Sequence, residues 1–92
     1  MRYTWDPEKD TLNRRKHRLF LKDGISALED PYRDSWIDDR FDYGEERIAT
    51  VGMGEDQVLY VVWAKREEDL TRIISVRKAE EDEIERYGLG RP

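Results

Sequence analysis

A chain of 92 residues, 37% hydrophobic and 42% charged, has room for one domain (residues 1–92) around a thin core, and not for two. With no cysteine it excludes disulfides, thiol nucleophiles and cysteine-based zinc sites, and no apolar run approaches the roughly 20 residues of a membrane-spanning helix. A net charge of −5 argues against tight nucleic-acid binding by the whole surface, since that affinity comes from Lys and Arg neutralising phosphates; a local basic site remains open.

Met1 to Asp6 has no apolar leader, so a soluble cytoplasmic protein without membrane association is expected. Tyr3-Thr4-Trp5 is β-prone and suits a short opening strand. Asp6-Pro7 is a helix start, with Asp6 as the cap and Pro7 at the first helical position, where its missing N–H costs nothing. This helix should run to about Lys16, turning basic toward its C-terminal end, where the helix dipole favours cations. A second helix is expected from about Leu21 to Glu29, with Leu21, Ile25 and Leu28 on its buried side, stopped by Asp30-Pro31.

From Tyr32 the pattern turns to strand. Ser35-Trp36-Ile37, Glu46 to Val51, Gln57 to Ala64 and Leu70 to Lys78 are separated by turns at Asp42-Tyr43-Gly44, Gly52 to Asp56 and Glu67-Glu68-Asp69. Short connections of this kind favour an antiparallel meander. Glu80 to about Tyr87 reads as a closing helix that is acidic in its first turn, ended by Gly88 and Gly90. The fold class is therefore α+β: a small antiparallel sheet with two N-terminal helices and a C-terminal helix packed on it, most simply all on one face.

The strand Arg72-Ile73-Ile74-Ser75-Val76-Arg77-Lys78 carries three cations among β-branched residues. Isolated charges are too costly to bury, so these cations reach solvent, pair with acids, or await an anion. Strict alternation puts Arg72, Ile74, Val76 and Lys78 on one face and Ile73, Ser75 and Arg77 on the other. Ser75 and Arg77 could then hold a phosphate together, with Arg supplying a bidentate fork. Composition alone favours the plainer alternative, in which Arg72 and Arg77 pair with Glu45, Glu46 or the acidic tail. His17, the single histidine, follows Arg14-Arg15-Lys16, where it could meet an anionic substrate or serve only as a helix-end dipole partner. No metal-binding spacing, phosphate-cradling loop or nucleophile elbow is present, and no cofactor is expected.

Trp5-Asp6, Lys9, Asn13 and Lys16-His17, followed in order by Asp30-Pro31, Tyr43-Gly44-Glu45-Glu46-Arg47, Arg66, Arg72-Ile73-Ile74-Ser75, Arg77-Lys78-Ala79 and Glu85-Arg86, resemble the BrnT family of type II toxin–antitoxin toxins. The resemblance spans about Tyr3 to Tyr87. Arg18 to Gly24 departs from it, since relatives usually carry Gly-Val-Ser-Phe-Glu-Glu-Ala after the histidine. It implies a RelE-like ribonuclease fold, RNA cleavage that arrests translation, and neutralisation by a BrnA-type ribbon-helix-helix antitoxin that alone contacts DNA.

Metal-independent RNA cleavage with the neighbouring 2′-hydroxyl as nucleophile needs a base, an acid and cations around the reacting phosphate. On that reading Arg72 and Arg77 hold the phosphate with Ser75, and Lys16 and His17 approach from the first helix. Glu46 or His17 supplies the base, while Arg47 and Lys78 add substrate contacts. The rival class is a non-catalytic interaction module or an inactive toxin, in which Trp36, Tyr43 and Trp63 serve a protein partner.

Overall fold

A computed structural model of the chain describes residues 2–40 and 42–89, so Gly90, one of the two expected helix stops, lies outside the described residues. The first helix, α1 (Pro7–His17), starts as its sequence dictates, with the Asp6 carboxylate accepting the Glu8 N–H at 2.9 Å. It ends at Arg18, which adopts the left-handed conformation (φ 59°) and donates its N–H to the Arg14 carbonyl at 2.9 Å. Leu12 stays exposed, and the buried residue of this helix is Asn13. A polar contact rather than an apolar stripe therefore docks it.

The second predicted helix divides into a 3-10 turn at Leu21–Asp23 and a short α2 (Gly24–Leu28). The Asp23 carboxylate accepts the Phe20 N–H at 2.8 Å, and Asp10 of α1 accepts the Leu21 N–H at 2.8 Å. The division lets α2 lie almost against the sheet. A Cβ on Gly52 would fall 2.4 Å from the Ala27 carbonyl oxygen, so only glycine admits this approach.

The five strands are β1 (Arg2–Thr4), β2 (Asp34–Ile37), β3 (Ile48–Met53), β4 (Val58–Glu67) and β5 (Leu70–Lys78), in the spatial order β1-β5-β4-β3-β2. β2 to β5 form the expected antiparallel meander. β1 pairs parallel with β5, which makes the sheet mixed rather than purely antiparallel. β1 and β5 are far apart in the chain and are not joined by a hairpin, so no tight turn forces them antiparallel. The pairing of β1 covers only Leu70–Arg72, so the outer edge of Ile73–Lys78 is left to α1.

Both faces of the sheet are covered. Leu59, Val61, Ile73 and Val76 pack with Leu21 and Ala27 beneath α1 and α2. Ala49, Val51, Tyr60, Val62 and Ala64 pack on the other side with Ile74, Ala79 and Tyr87 of α3 (Glu81–Leu89). The expectation that all helices share one face is thus corrected. β4 is apolar on both sides, from Leu59 to Ala64, and each side needs its own cover. No helix among the described residues is long and apolar enough to cross a membrane.

Candidate functional site

The ladder between β4 and β5 is irregular at one decisive point. Val62 faces Ser75, but Trp63 faces Ile73, so Ile74 is an extra residue in a β-bulge. The bulge overturns strict alternation along β5. Arg72 faces Ala64, Ser75 faces Val62 and Arg77 faces Tyr60, and these three β4 residues share one side of the sheet. Arg72, Ser75 and Arg77 therefore form a row on one face, about 7 Å apart at two residues of strand rise per step. Lys78, opposite Leu59, is turned to the α1/α2 face.

The last turn of α1 lies along the open edge of this row. Lys16 and His17 join Lys9, Leu12, Asn13, Ile74 and Ser75 around a shallow cavity of about 190 Å³. Burial, then the positive charges of Lys16 and Arg77, hold the His17 imidazole below its ordinary range. It is therefore largely neutral at neutral pH and able to accept a proton.

Arg77 is the most constrained cation of the group. Its guanidinium lies 4.0 Å above the Tyr60 ring and makes a bidentate contact to Glu83 of α3, both bonds 2.8 Å, with Glu80 at 3.5 Å. Hydrogen bonding to Glu83 raises the pKa of Arg77. Burial opposes ionisation of Glu83, yet the Arg77 guanidinium and the Glu80 N–H hold its carboxyl below the usual range. Burial pushes the Tyr60 phenol up. The ion-paired alternative is realised at Arg77, with acids of the C-terminal helix. Arg72 is half-buried and has no carboxylate partner among the described residues.

Glu46 and Arg47 lie in the segment before β3, two strands from β5, a separation of about 10 Å at the usual strand spacing. Glu46 is exposed. Arg47 stacks on Tyr43 at 4.0 Å and pairs with Glu45 at 3.3 Å, and Arg66 also pairs with Glu45 at 3.1 Å. Nearby, the buried Asp38 is held ionised chiefly by Arg40, which contacts both its oxygens at 2.8 and 3.1 Å. The structure thus gathers Lys16, His17 and Ser75 around one cavity, sets Arg72 and Arg77 in a row with Ser75 on β5, turns Lys78 to the other face of that strand, and keeps Glu46 and Arg47 two strands away.

Sequence reasoning gave no role to Tyr60 or Asn13, and named Glu83 only within the acidic tail as a possible partner of Arg77. Two signals in the sequence point to these residues: Tyr60 is an aromatic inside an apolar strand, and Glu83 is an acid six residues after Arg77 at a helix start. Among the described residues, no three or more His, Asp or Glu side chains stand together as a metal site would require.

Comparisons with known proteins converge on one family. Residues 5–83 match the family described as the ribonuclease toxin, BrnT, of type II toxin–antitoxin systems. No curated protein matches the chain. The crystal structure of the Brucella abortus ribonuclease toxin, BrnT, superposes with a TM-score of 0.64 at 20% identity, over 88% of this chain and 99% of that one. At that identity the superposition establishes the shared fold, and the family match over residues 5–83 establishes membership. The chain belongs to the BrnT family of ribonuclease toxins of type II toxin–antitoxin systems.

Proposed function

We propose that this chain is an endoribonuclease that cleaves RNA without a metal and so arrests translation, and that a BrnA-type antitoxin neutralises it. The observation that carries this reading is the meeting of Lys16 and His17 with Ser75 at the open edge of β5, on the strand whose same-face row also holds Arg77. There a proton acceptor stands beside a cation, with a second, tightly held cation further along the same strand, which is what transesterification of RNA needs.

The 2′-hydroxyl loses its proton to the base and forms the new O–P bond. The P–O5′ bond then breaks, and the departing oxygen takes a proton, leaving a 2′,3′-cyclic phosphate and a 5′-hydroxyl. The lowered proton affinity of His17 suits it to the base role. Lys16 is placed to offset the developing charge or protonate the leaving oxygen. Arg77 provides a two-pronged phosphate contact once phosphate competes with Glu83 for its fork. Arg72 and Ser75, in a row with it, suit successive points of an extended backbone better than one shared phosphate. Glu46 and Arg47, about 10 Å away by strand spacing, fit contacts to a flanking part of the RNA.

The test is expression of the chain in bacteria together with RNA cleavage by the purified protein. Wild type should arrest growth and yield 2′,3′-cyclic phosphate ends. Arg77→Lys keeps the charge but loses the fork, and should cut cleavage by about tenfold or more. Unimpaired growth with folded, inert protein would favour a non-catalytic interaction module instead.

A further inference from the structure

The cations of this acidic chain differ in whether a carboxylate holds them, and five of those without one cluster at one place. Arg2, Arg40, Arg47, Arg66, Arg77 and Arg86 each have a carboxylate partner. Arg14, Arg15, Lys16, Arg18 and Lys22, clustered around the end of α1, have none among the described residues. The nearest acids in sequence are engaged elsewhere, since Asp10 and Asp23 bond the Leu21 and Phe20 N–H groups. In a protein with 22 acids for 17 Lys and Arg, Arg14, Arg15 and Arg18 line one depression that no acid lines, while Lys22 borders Asp23, Glu55 and Asp56 on its other side.

An aromatic ring organises that patch. Phe20 is 41% exposed, with the Arg14 guanidinium 4.7 Å and the Lys22 ammonium 5.2 Å from its ring centre. Each cation is thereby held near the ring without a salt bridge. Thr11, Arg14, Arg15, Arg18 and Phe20 line an open depression of about 530 Å³. It lies on the flank of α1 facing away from the Lys16–His17–Ser75 cavity. A helix with side chains is about 10–12 Å across, so a strand leaving that cavity can round the helix end and reach Phe20 within a few nucleotides.

We propose that Arg14, Arg18, Phe20 and Lys22 form a second subsite for single-stranded RNA, which holds the substrate beyond the cleaved phosphate. This rests on the ribonuclease reading above. Exposed aromatic and guanidinium faces among unpaired cations are what successive bases and phosphates of a single strand bind. An acidic protein segment would use the charges but has no need of the ring.

The test is binding of a short mixed-sequence 2′-O-methyl oligoribonucleotide, which cannot be cleaved, to the full chain over a series of salt concentrations. In the R14Q/R18N double variant, affinity should fall about tenfold or more, and the slope of log K against log salt should shrink by about 1.4, at about 0.7 per lost phosphate contact. Asn at position 18 tolerates the left-handed backbone. Phe20→Leu should weaken binding about fivefold or more with the slope kept, and Lys65→Gln, a lone exposed cation on β4, should change neither. If R14Q/R18N fails to fold, Phe20→Leu and Lys22→Gln carry the test. Wild type that binds and cleaves RNA beside an unaltered double variant overturns the subsite alone. Wild type that does neither overturns the ribonuclease reading and the subsite with it. A double variant that keeps RNA affinity but loses its antitoxin makes the patch a protein-docking surface and also overturns the proposal.

Discussion

Asn13 stands in for a missing strand beside Val76. Its carboxamide donates to the Val76 carbonyl at 2.9 Å and accepts the Val76 N–H at 3.0 Å, the pair of bonds a neighbouring strand would make. β1 ends its pairing at Arg72, so this side chain terminates the open edge of β5 and fixes α1 against it. A third bond, from Asn13 to the Leu19 carbonyl at 2.9 Å, ties the chain leaving the helix to the same point. His17, one turn along, inherits its position from that clamp.

Asn13→Ala should therefore cost about 2–4 kcal/mol, because the N–H and C=O of Val76 lose their partners in a buried setting and each such loss costs about 1–3 kcal/mol. Asn13→Asp should be little better, since a carboxylate cannot donate to the Val76 and Leu19 carbonyls. Urea denaturation monitored by tryptophan fluorescence measures both. A loss below about 0.5 kcal/mol in Asn13→Ala would show that α1 is docked by something else.

His17 should titrate below 6.5, the ordinary histidine value, because burial and the cations Lys16 and Arg77 disfavour its charged form. Between the folded and unfolded values the unfolded chain binds more protons, so stability rises with pH across that window and is fully present above 6.5. If His17 is the base, cleavage should fall as pH drops through the folded value. Arg77→Ala removes one source of the shift, and the midpoint should then move up toward 6.5, as followed by NMR of the imidazole protons. A midpoint at or above 6.5 in wild type would contradict this account of the edge.

Glu83 and Arg77 tie α3 to the sheet, and their side chains are only 13% and 23% exposed. Glu83→Gln should lower stability by about 1–3 kcal/mol, the range for a hydrogen bond to a charged group. It should also raise RNA affinity, because the Arg77 fork no longer has a carboxylate to displace. The folded carboxyl titrates below its unfolded value, so the contribution is present above roughly pH 4.3 and lost as pH falls through the folded value. Acid unfolding of wild type and variant should accordingly converge at low pH. Equal affinity of the two for RNA would mean that phosphate does not compete with Glu83 at Arg77.

Much of this arrangement is legible in the residues themselves. Asp6-Pro7 marks the start of α1 because capping and proline geometry are local, and the apolar run of β4 fixes the centre of the sheet. Lys16-His17 and Ser75 lie on separate elements of the sequence, and the structure brings them around one cavity. What could not be read was non-local. The bulge at Ile74 depends on pairing with Trp63, and the clamp of Asn13 spans from the first helix to the last strand. α3 crosses to the other face because Tyr87 fills the apolar side there and reaches the buried Asp30 at 2.5 Å, a contact 57 residues away in sequence.

The bulge itself makes a functional prediction. Without it, Arg72 would share a face with Lys78 and oppose Ser75 and Arg77; with it, Arg72 joins their row and Lys78 alone is turned away. Arg72→Ala should consequently reduce RNA cleavage about 10²-fold, the usual scale for a cation or donor that meets developing charge. Lys78→Ala removes the same formal charge within the same strand, yet its effect should stay within a fewfold. Both positions tolerate alanine, since Arg72 is half-buried without a carboxylate partner and Lys78 is exposed. Steady-state cleavage of one RNA by both variants at matched salt decides the matter. Equal losses would mean that charge on β5 matters more than the face it occupies, and a larger loss at Lys78 would move the site to the α1/α2 side of the sheet.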